Sequence, residues 1–196
     1  NIGRNAWLQA GYPAEVPATT LDRRCGSAQT SVNFAAALIA SGVHDIVIAG
    51  GVEHMGHVPM NSPAKISELY GDPWPAELRE RYDFVTQGES AELIAERWDI
   101  SRTEMDEFAV RSHALAADAV AAGRFTAEMV PMELDGEIRY GDQSVRPGTS
   151  LDTLAGLKTV FRHENGRVTA GTSSPICDSA AAVVLCSREA AQRHGL

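Results

Sequence analysis

The pattern of hydrophobic and polar positions predicts an α/β protein. An alanine-rich apolar stretch with helical spacing covers residues 26–41, and Gly42 suits the left-handed end of that helix. A short continuous apolar run at 45–49 is typical of a strand buried in a parallel sheet, and Gly50-Gly51 is expected to stop it. A second such run, at 180–186, precedes a last helix. Two buried strands with helices beside them are therefore expected.

Between these strands the pattern predicts a mostly helical region. Prolines at 59–83 would interrupt any helix, so an irregular segment on the surface, without helices, is expected there. Residues 88–98 have helical spacing, and Ser101 with Glu104 forms a capping box that begins a second helix. A weak edge strand at 129–134 and a short helix at 151–157 complete the region. Apolar residues recur along the second helix as a predicted core stripe: Met105, Phe108, Leu115, Ala119 and Ala122.

Cys25 lies between an extended run at 16–21, expected to be a strand, and the start of the first helix. A thiol at this point lies at the positive end of the helix dipole, where unpaired N–H groups favour the thiolate. That placement indicates a nucleophile. The alternative is a small buried apolar residue, which is the commonest role of a cysteine outside a disulfide. A helix N-terminus contributes only about 0.3–2 kcal/mol to ionisation, so a base is also required.

Composition excludes several classes of protein. The net charge of −9 is dispersed along the chain, which argues against a nucleic-acid surface, and no apolar run approaches the length of a membrane span. Three cysteines without C-x-x-C spacing argue against a disulfide framework or a zinc site. They favour a reducing, cytoplasmic location. Cys177 and Cys186 are interpreted as packing residues.

The histidines and glycines do not form a recognisable metal or nucleotide site. His54 and His57 are three residues apart but have no third ligand spaced with them, so a structural role is favoured over metal binding. A dinucleotide fingerprint needs a further glycine after Gly50-Gly51, and a serine elbow needs glycine where Pro175 stands. The remaining histidines are scattered and expected to be exposed.

Three blocks of motif residues occur in register along the chain. They are Val16-Pro17 with Thr20, Arg23 and Cys25-Gly26-Ser27; Gly50-Gly51 with Glu53 and Met55; and the segment 168–184. Together they resemble the thiolase family of CoA-dependent acyltransferases over nearly the whole chain. The resemblance implies a thiolase-like layered α/β core made of residues 1–58 and 168–196, with an inserted, mostly helical loop domain at 59–167 that holds CoA.

The resemblance also implies site residues. Cys25 matches the catalytic nucleophile, and Arg146 matches the arginine that stacks on the adenine and meets phosphates. Without the motif, Arg146 would be read as an exposed, solvated side chain. The other matches line the nucleotide and pantetheine tunnel (Thr153, Leu157, Phe161), the pantetheine turn (Ala170, Ser173, Ser174) and the region near the acyl group (Thr86, Gln87).

Two departures from the family pattern change what is expected of the substrate. Thr86-Gln87 stands where many short-chain members have His-Met, which favours a different, longer acyl chain over a branched short one. The familiar Asn-Ala-Ser-Gly of the pantetheine turn is replaced at residues 172–175. CoA is expected as a substrate, with no permanently bound cofactor and no metal.

The activity implied is cleavage of a 3-oxoacyl-CoA by CoA through an acyl-Cys25 intermediate, or the reverse Claisen condensation, as in fatty acid β-oxidation. Family members are homodimers or homotetramers, so the same is expected here. The family's Gly-His-Pro and Cys-x-Gly segments do not occur in the chain. The chain is therefore interpreted as an N-terminal half, incomplete at both ends and inactive alone.

Two alternatives share these features. A ketoacyl-synthase-type condensing enzyme has the same fold and a cysteine at the same turn, although the long insertion and the Gly-Gly-x-Glu-x-Met turn argue against it. A catalytically silent thiolase-like protein that binds acyl chains or a partner is disfavoured because Cys25-Gly26-Ser27 is retained.

Overall fold

The computed structural model describes the backbone of residues 1–196 and all side chains except those of residues 63, 64 and 68. The chain divides into two compact units. The first unit consists of Asn1–Met60 and Cys177–Leu196, and the inserted unit consists of Asn61–Ile176. Residues 168–176 therefore lie in the inserted unit, whereas the sequence places them in the core.

Most of the elements are helices, and strands occur between some of them. Among the described residues, no helix combines the length and apolar character needed to cross a membrane. The helices are α1 (Ile2–Gln9), α2 (Ser27–Ala40), α3 (Ser62–Tyr70), α4 (Ala76–Arg81), α5 (Gln87–Arg97), α6 (Arg102–Ala121), α7 (Leu151–Ala155) and α8 (Arg188–His194), and the strands are β1 (Ile46–His54), β2 (Met132–Leu134), β3 (Glu137–Arg139) and β4 (Asp178–Cys186).

The first unit is built on the pair β1 and β4. The two strands are antiparallel, with Ile46 opposite Cys186 and His54 opposite Asp178. The expectation of a parallel arrangement is wrong, because the insertion returns the chain to the point where β1 ends. The expectation that Gly50-Gly51 stops the strand is also wrong, since β1 continues to His54. Most of β4 is exposed rather than buried, because α2 packs mainly on β1 and little on β4.

Helix α2 packs closely on β1. A Cβ on Gly51 would lie 2.8 Å from Cβ of Ala28, so only glycine permits this approach. The Ser31 hydroxyl donates a 3.1 Å hydrogen bond to the carbonyl of Gly50. Ala35 on α2 and Ala49 on β1 are buried in the same layer. The start of α2, which follows Cys25, is thereby fixed against the strand pair.

The region at 59–83 contains helices α3 and α4, so the prediction of an irregular surface segment without helices is wrong. Two of the four prolines begin these helices rather than interrupt them. One lies in the first turn of α3, and Pro75 is the N-cap of α4. Proline is tolerated at these positions because the first N–H groups of a helix have no intrahelical partner.

Helix α6 begins at the predicted capping box: Ser101 N and Glu104 Oε2 are 2.7 Å apart. The predicted core stripe is wrong, since Phe108 is 74% exposed and Leu115 is 57% exposed. The buried face instead carries Asp106 and Ala109. Arg102 explains this, because its guanidinium binds Asp106 at 2.8 Å and donates to the carbonyl of Leu154 at the end of α7. The contact between α6 and α7 is therefore polar.

Strands β2 and β3 form a hairpin, whereas the sequence predicts only the one edge strand at 129–134. Asp135 and Gly136 connect them with φ of 53° and 79°. Two successive positive φ angles are what a tight hairpin turn requires, and Asp-Gly is a preferred pair for it.

Candidate active site

Cys25 is exposed and directly precedes Gly26, the N-cap of α2. The residue before it, Arg24, has φ of 53°, an uncommon left-handed conformation for a side chain of this size. The Ser27 hydroxyl holds the turn from inside, because it donates to the carbonyl of Arg24 at 2.6 Å and accepts from the N–H of Arg23 at 2.8 Å. The thiol is thus presented on a sharp, internally bonded turn at a helix N-terminus.

The extended run before this turn is not a strand, contrary to the sequence prediction. Its carbonyl groups are bound by side chains of α1 and its cap instead of a neighbouring strand. Arg4 donates to the carbonyls of Val16 and Ala14, and Asn1 Nδ2 donates to the carbonyl of Ala18 at 2.8 Å. Helix α1 therefore supports the segment that leads to Cys25.

The other two cysteines differ from each other in their exposure. None of the three is in a disulfide; Cys177 is exposed and Cys186 is half-buried. The interpretation of Cys177 as a packing residue is therefore wrong. Within the described residues, no group of three or more histidine, cysteine or acidic side chains has metal-binding geometry.

His54 and His57 take part in a local contact at the end of the strand pair. His54 Nε2 lies 3.2 Å from Asp178 Oδ2, and the two imidazole rings stack with centroids 5.4 Å apart. Asp178 Oδ1 also accepts the N–H of Gly56 at 2.8 Å. These contacts join the end of β1 to the start of β4.

In the inserted unit, the start of α5 brings three of the predicted site residues together. Thr86 is the N-cap, and its hydroxyl oxygen accepts the N–H of Glu89 at 3.2 Å. The ring of Phe161 lies directly over Gly88, where any side chain would collide with it. Phe161 therefore lies against the first turn of the helix that Thr86 caps and Gln87 begins.

A second group forms where α7 meets the segment that follows Val168. Ala170–Thr172 is a single 3-10 turn. A Cβ on Gly171 would lie 2.8 Å from Leu157 Cδ1, so the turn and the Leu157 side chain are in close contact. Ser173 donates to the carbonyl of Thr169 at 2.7 Å, and Ser174 is exposed. Leu157, Ala170 and Ser173 are thereby gathered on one small surface.

Thr153 and Arg146 are held by other contacts. Thr153 Oγ1 accepts the N–H of Ser150 at 3.0 Å, so this hydroxyl caps α7. Arg146 is exposed, and its N–H donates to His113 Nδ1 at 3.2 Å. The expectation that His113 is exposed is wrong, because it is half-buried on α6. Its spacing from Asp106 and Ala109 is the signal that places it on the same buried face.

The sequence pattern also did not indicate that charged residues are buried on α5 and in the segment after α7. Glu92 is 2% exposed, and its carboxylate accepts the N–H groups of Arg167 and Val168. Arg162 forms ion pairs with Glu89 and Glu96. All three glutamates lie on α5 and hold residues of the segment 161–168. Cys25 lies in the first unit, and the nine other predicted site residues lie in the inserted unit.

The ion pair between Arg162 and Glu89 predicts acid sensitivity. The hydrogen bond from Arg162 lowers the pKa of Glu89 from its ordinary value of 4.5. Stabilisation by a carboxyl group with a lowered pKa is complete above about 4.5 and is lost as the pH falls through the folded-state pKa. We expect Glu89→Gln to lower the melting temperature near neutral pH and to flatten its decline in acid, measured by thermal denaturation across pH. Glu107→Gln, at an exposed position on α6, is the control; an equally steep decline in Glu89→Gln would contradict the prediction.

Comparisons with known proteins agree with the motifs. A family model described as the thiolase N-terminal domain matches residues 1–189. The chain is 39% identical over 202 residues to steroid 3-ketoacyl-CoA thiolase FadA6 of Mycobacterium tuberculosis, covering 100% of this chain and 49% of the relative. It is 41% identical over 205 residues to the 3-ketoacyl-CoA thiolase of Shewanella denitrificans, covering 100% and 50%.

Solved structures give the same result. The dimeric peroxisomal thiolase of Saccharomyces cerevisiae is matched with a TM-score of 0.86 and 32% identity, over 100% of this chain and 51% of that one. Human mitochondrial 3-ketoacyl-CoA thiolase in complex with CoA is matched with a TM-score of 0.82 and 31% identity, over 98% and 50%. The chain spans about half the length of the curated relatives it matches.

Proposed function

Because the chain belongs to the thiolase family and has its α/β fold, we propose that it forms the nucleophile-bearing and CoA-binding part of an acyl-CoA acyltransferase. The reaction is cleavage of a 3-oxoacyl-CoA by CoA, or the reverse Claisen condensation. The observation that carries the proposal is the exposed thiol of Cys25 on a tight turn directly before the N-cap of α2.

The chemistry follows from the thiolate. The Cys25 sulfur attacks the C3 carbonyl carbon of the 3-oxoacyl-CoA, and a carbon–sulfur bond forms. The C2–C3 bond breaks, its electron pair passes to C2, and the resulting enolate takes up one proton to give acetyl-CoA. The thiolate of a second CoA then attacks the acyl-enzyme, which releases the shortened acyl-CoA and regenerates the Cys25 thiolate. Sulfur suits both halves because it is a good nucleophile and a good leaving group.

The inserted unit supplies the proposed CoA contacts. A pantetheine arm needs a narrow apolar surface with hydroxyl partners, and a nucleotide needs a cationic group. Leu157, Ala170 and Ser173 lie together, which fits the first requirement. The exposed Arg146 fits the second. We assign Thr153, Phe161 and Ser174 to the same binding surface.

Substrate and assembly complete the proposal. Thr86 and Gln87 lie at the start of α5, where Phe161 contacts Gly88, and are proposed to face the acyl group, with a preference for longer acyl chains. The solved yeast relative is a dimeric thiolase. We propose a homodimer or homotetramer for this protein. Cysteines outside disulfides favour a reducing, cytoplasmic location.

The direct test is to trap the acyl-enzyme. The protein that carries this chain is mixed with acetoacetyl-CoA or 3-oxopalmitoyl-CoA, quenched in acid and analysed by intact-mass and peptide-mapping mass spectrometry. We expect the mass of one acyl group on the peptide that contains Cys25. The exposed Cys177 is an internal control for nonspecific acylation.

The outcomes separate the alternatives. Acylation of Cys25 from acyl carrier protein in preference to CoA would indicate a ketoacyl-synthase-type enzyme instead. Acylation of Cys177 to the same extent as Cys25, or no adduct on Cys25, would overturn the proposal. Unmodified Cys25 combined with saturable acyl-CoA binding would indicate a silent binding protein.

A further inference from the structure

Glu92 is a buried carboxylate on α5 whose partners are main-chain groups. It is 2% exposed, and its oxygens lie 3.0 and 2.9 Å from the nitrogen of Arg167 and 2.9 Å from the nitrogen of Val168. A carboxyl group this deeply buried is costly unless donors satisfy it. The two N–H groups meet that requirement, so Glu92 and the start of the segment after Arg167 depend on each other.

The hydrogen bonds continue from this anchor into the following turn. Thr169 has an exposed fraction of 0%, and its Oγ1 accepts the N–H of Gly171 at 3.2 Å. Its carbonyl accepts the Ser173 hydroxyl at 2.7 Å. The Arg167 side chain makes a second attachment to the end of α5 through the carbonyl of Ala95 at 3.0 Å. Helix α5 and residues 167–173 are therefore held as one piece.

We propose that Glu92 is a positioning residue that fixes the turn at 170–174 in its CoA-binding conformation. This role rests on the proposed function, in which Ala170, Ser173 and Ser174 contact the pantetheine arm. Among the described residues, the hydrogen bonds of the Glu92 carboxylate go to the main chain of Arg167 and Val168, so it acts through the turn and not on the substrate. A turn held in place before binding loses less conformational entropy when CoA arrives.

Glu92→Gln tests the role with little change in volume. Glutamine keeps one acceptor oxygen but directs an amide NH₂ towards a main-chain N–H, so at least one hydrogen bond is lost. We expect the KM for CoA in thiolysis to rise about tenfold, the effect of losing one buried charge-assisted hydrogen bond. We expect kcat to stay within about threefold. Hydrogen–deuterium exchange of residues 167–173 is expected to accelerate. Glu107→Gln is the matched control and is expected to change none of these.

A merely structural role gives a different result, in which the melting temperature and the amount of active enzyme fall while KM for CoA is unchanged. That result overturns the proposal. If Glu92→Gln does not fold, Thr169→Val decides, because it removes the acceptor for Gly171 with almost no change in shape. We expect about a threefold rise in KM for CoA from the loss of this neutral bond. An unchanged KM in that variant also overturns the role.

The wild-type protein separates this inference from the function on which it rests. Wild-type protein that neither acylates Cys25 nor saturates with CoA overturns the proposed function and the role of Glu92 with it. Wild-type protein that does both, with an unaltered KM in Glu92→Gln, overturns the positioning role alone.

Discussion

Replacing Cys25 with alanine is expected to lower kcat for thiolysis of acetoacetyl-CoA by at least about four orders of magnitude, as removal of a covalent nucleophile does in other enzymes. The methyl group of alanine cannot form the thioester. The turn itself remains, since Ser27 and the backbone of Arg23 and Arg24 hold it. Binding of CoA to the inserted unit is expected to be unchanged. Steady-state kinetics and calorimetric titration with CoA measure the two effects separately.

The other cysteines provide matched controls for that experiment. Cys177→Ala and Cys186→Ala each remove another thiol of the first unit, and we expect kcat within about twofold of the wild type for each. Activity of Cys25→Ala above about one-tenth of the wild type would show that another group forms the intermediate.

Gly50→Ala is expected to have the largest effect on stability. The added Cβ would collide with the backbone carbonyl of Ala181 and lie 3.2 Å from the Cα of Ala182, both on β4. These are main-chain atoms of the strand pair, so they cannot move without breaking its hydrogen bonds. We expect the free energy of unfolding of the first unit to fall by about 2–3 kcal/mol. Urea denaturation followed by hydrogen–deuterium exchange in β1 and β4 measures this change.

The control is a glycine whose surroundings are open. At Gly3, in α1, the nearest atom to an added Cβ is 3.9 Å away. Gly3→Ala is expected to stabilise the protein by about 0.5–1 kcal/mol, because alanine favours the helix. Equal stability of Gly50→Ala and the wild type would mean that the two strands are farther apart than described here.

Helices with local end signals were predictable from the sequence. Helix α6 begins at its capping box, α2 ends before Gly42, and α8 is capped by Ser187, because the groups that define these ends are neighbours in the chain. The direction of β4 relative to β1 was not predictable, since it depends on where the chain returns after the inserted unit. The helices at 62–81 were missed because proline both begins and breaks helices, and position decides which.

The candidate site likewise has features that were predictable from the sequence and features that were not. The position of Cys25 before a helix was evident from adjacent residues, and the family resemblance supplied the proposed CoA contacts. The contacts of Glu92 with Val168 and of His113 with Arg146 were missed, since they join residues 76 and 33 positions apart. Contacts between residues so far apart in the chain leave no local sequence pattern. Only the burial of a polar side chain in the structure reveals them.

The chain leaves the first unit after β1 and returns to it before β4. Both points are near the paired residues His54 and Asp178, which the imidazole–carboxylate contact joins. A segment inserted at one end of a strand pair can change in length or sequence without altering how β1 and β4 pair. The proposed recognition of the acyl chain and nucleotide by the inserted unit can thus diversify while the surroundings of the proposed nucleophile, Cys25, stay constant.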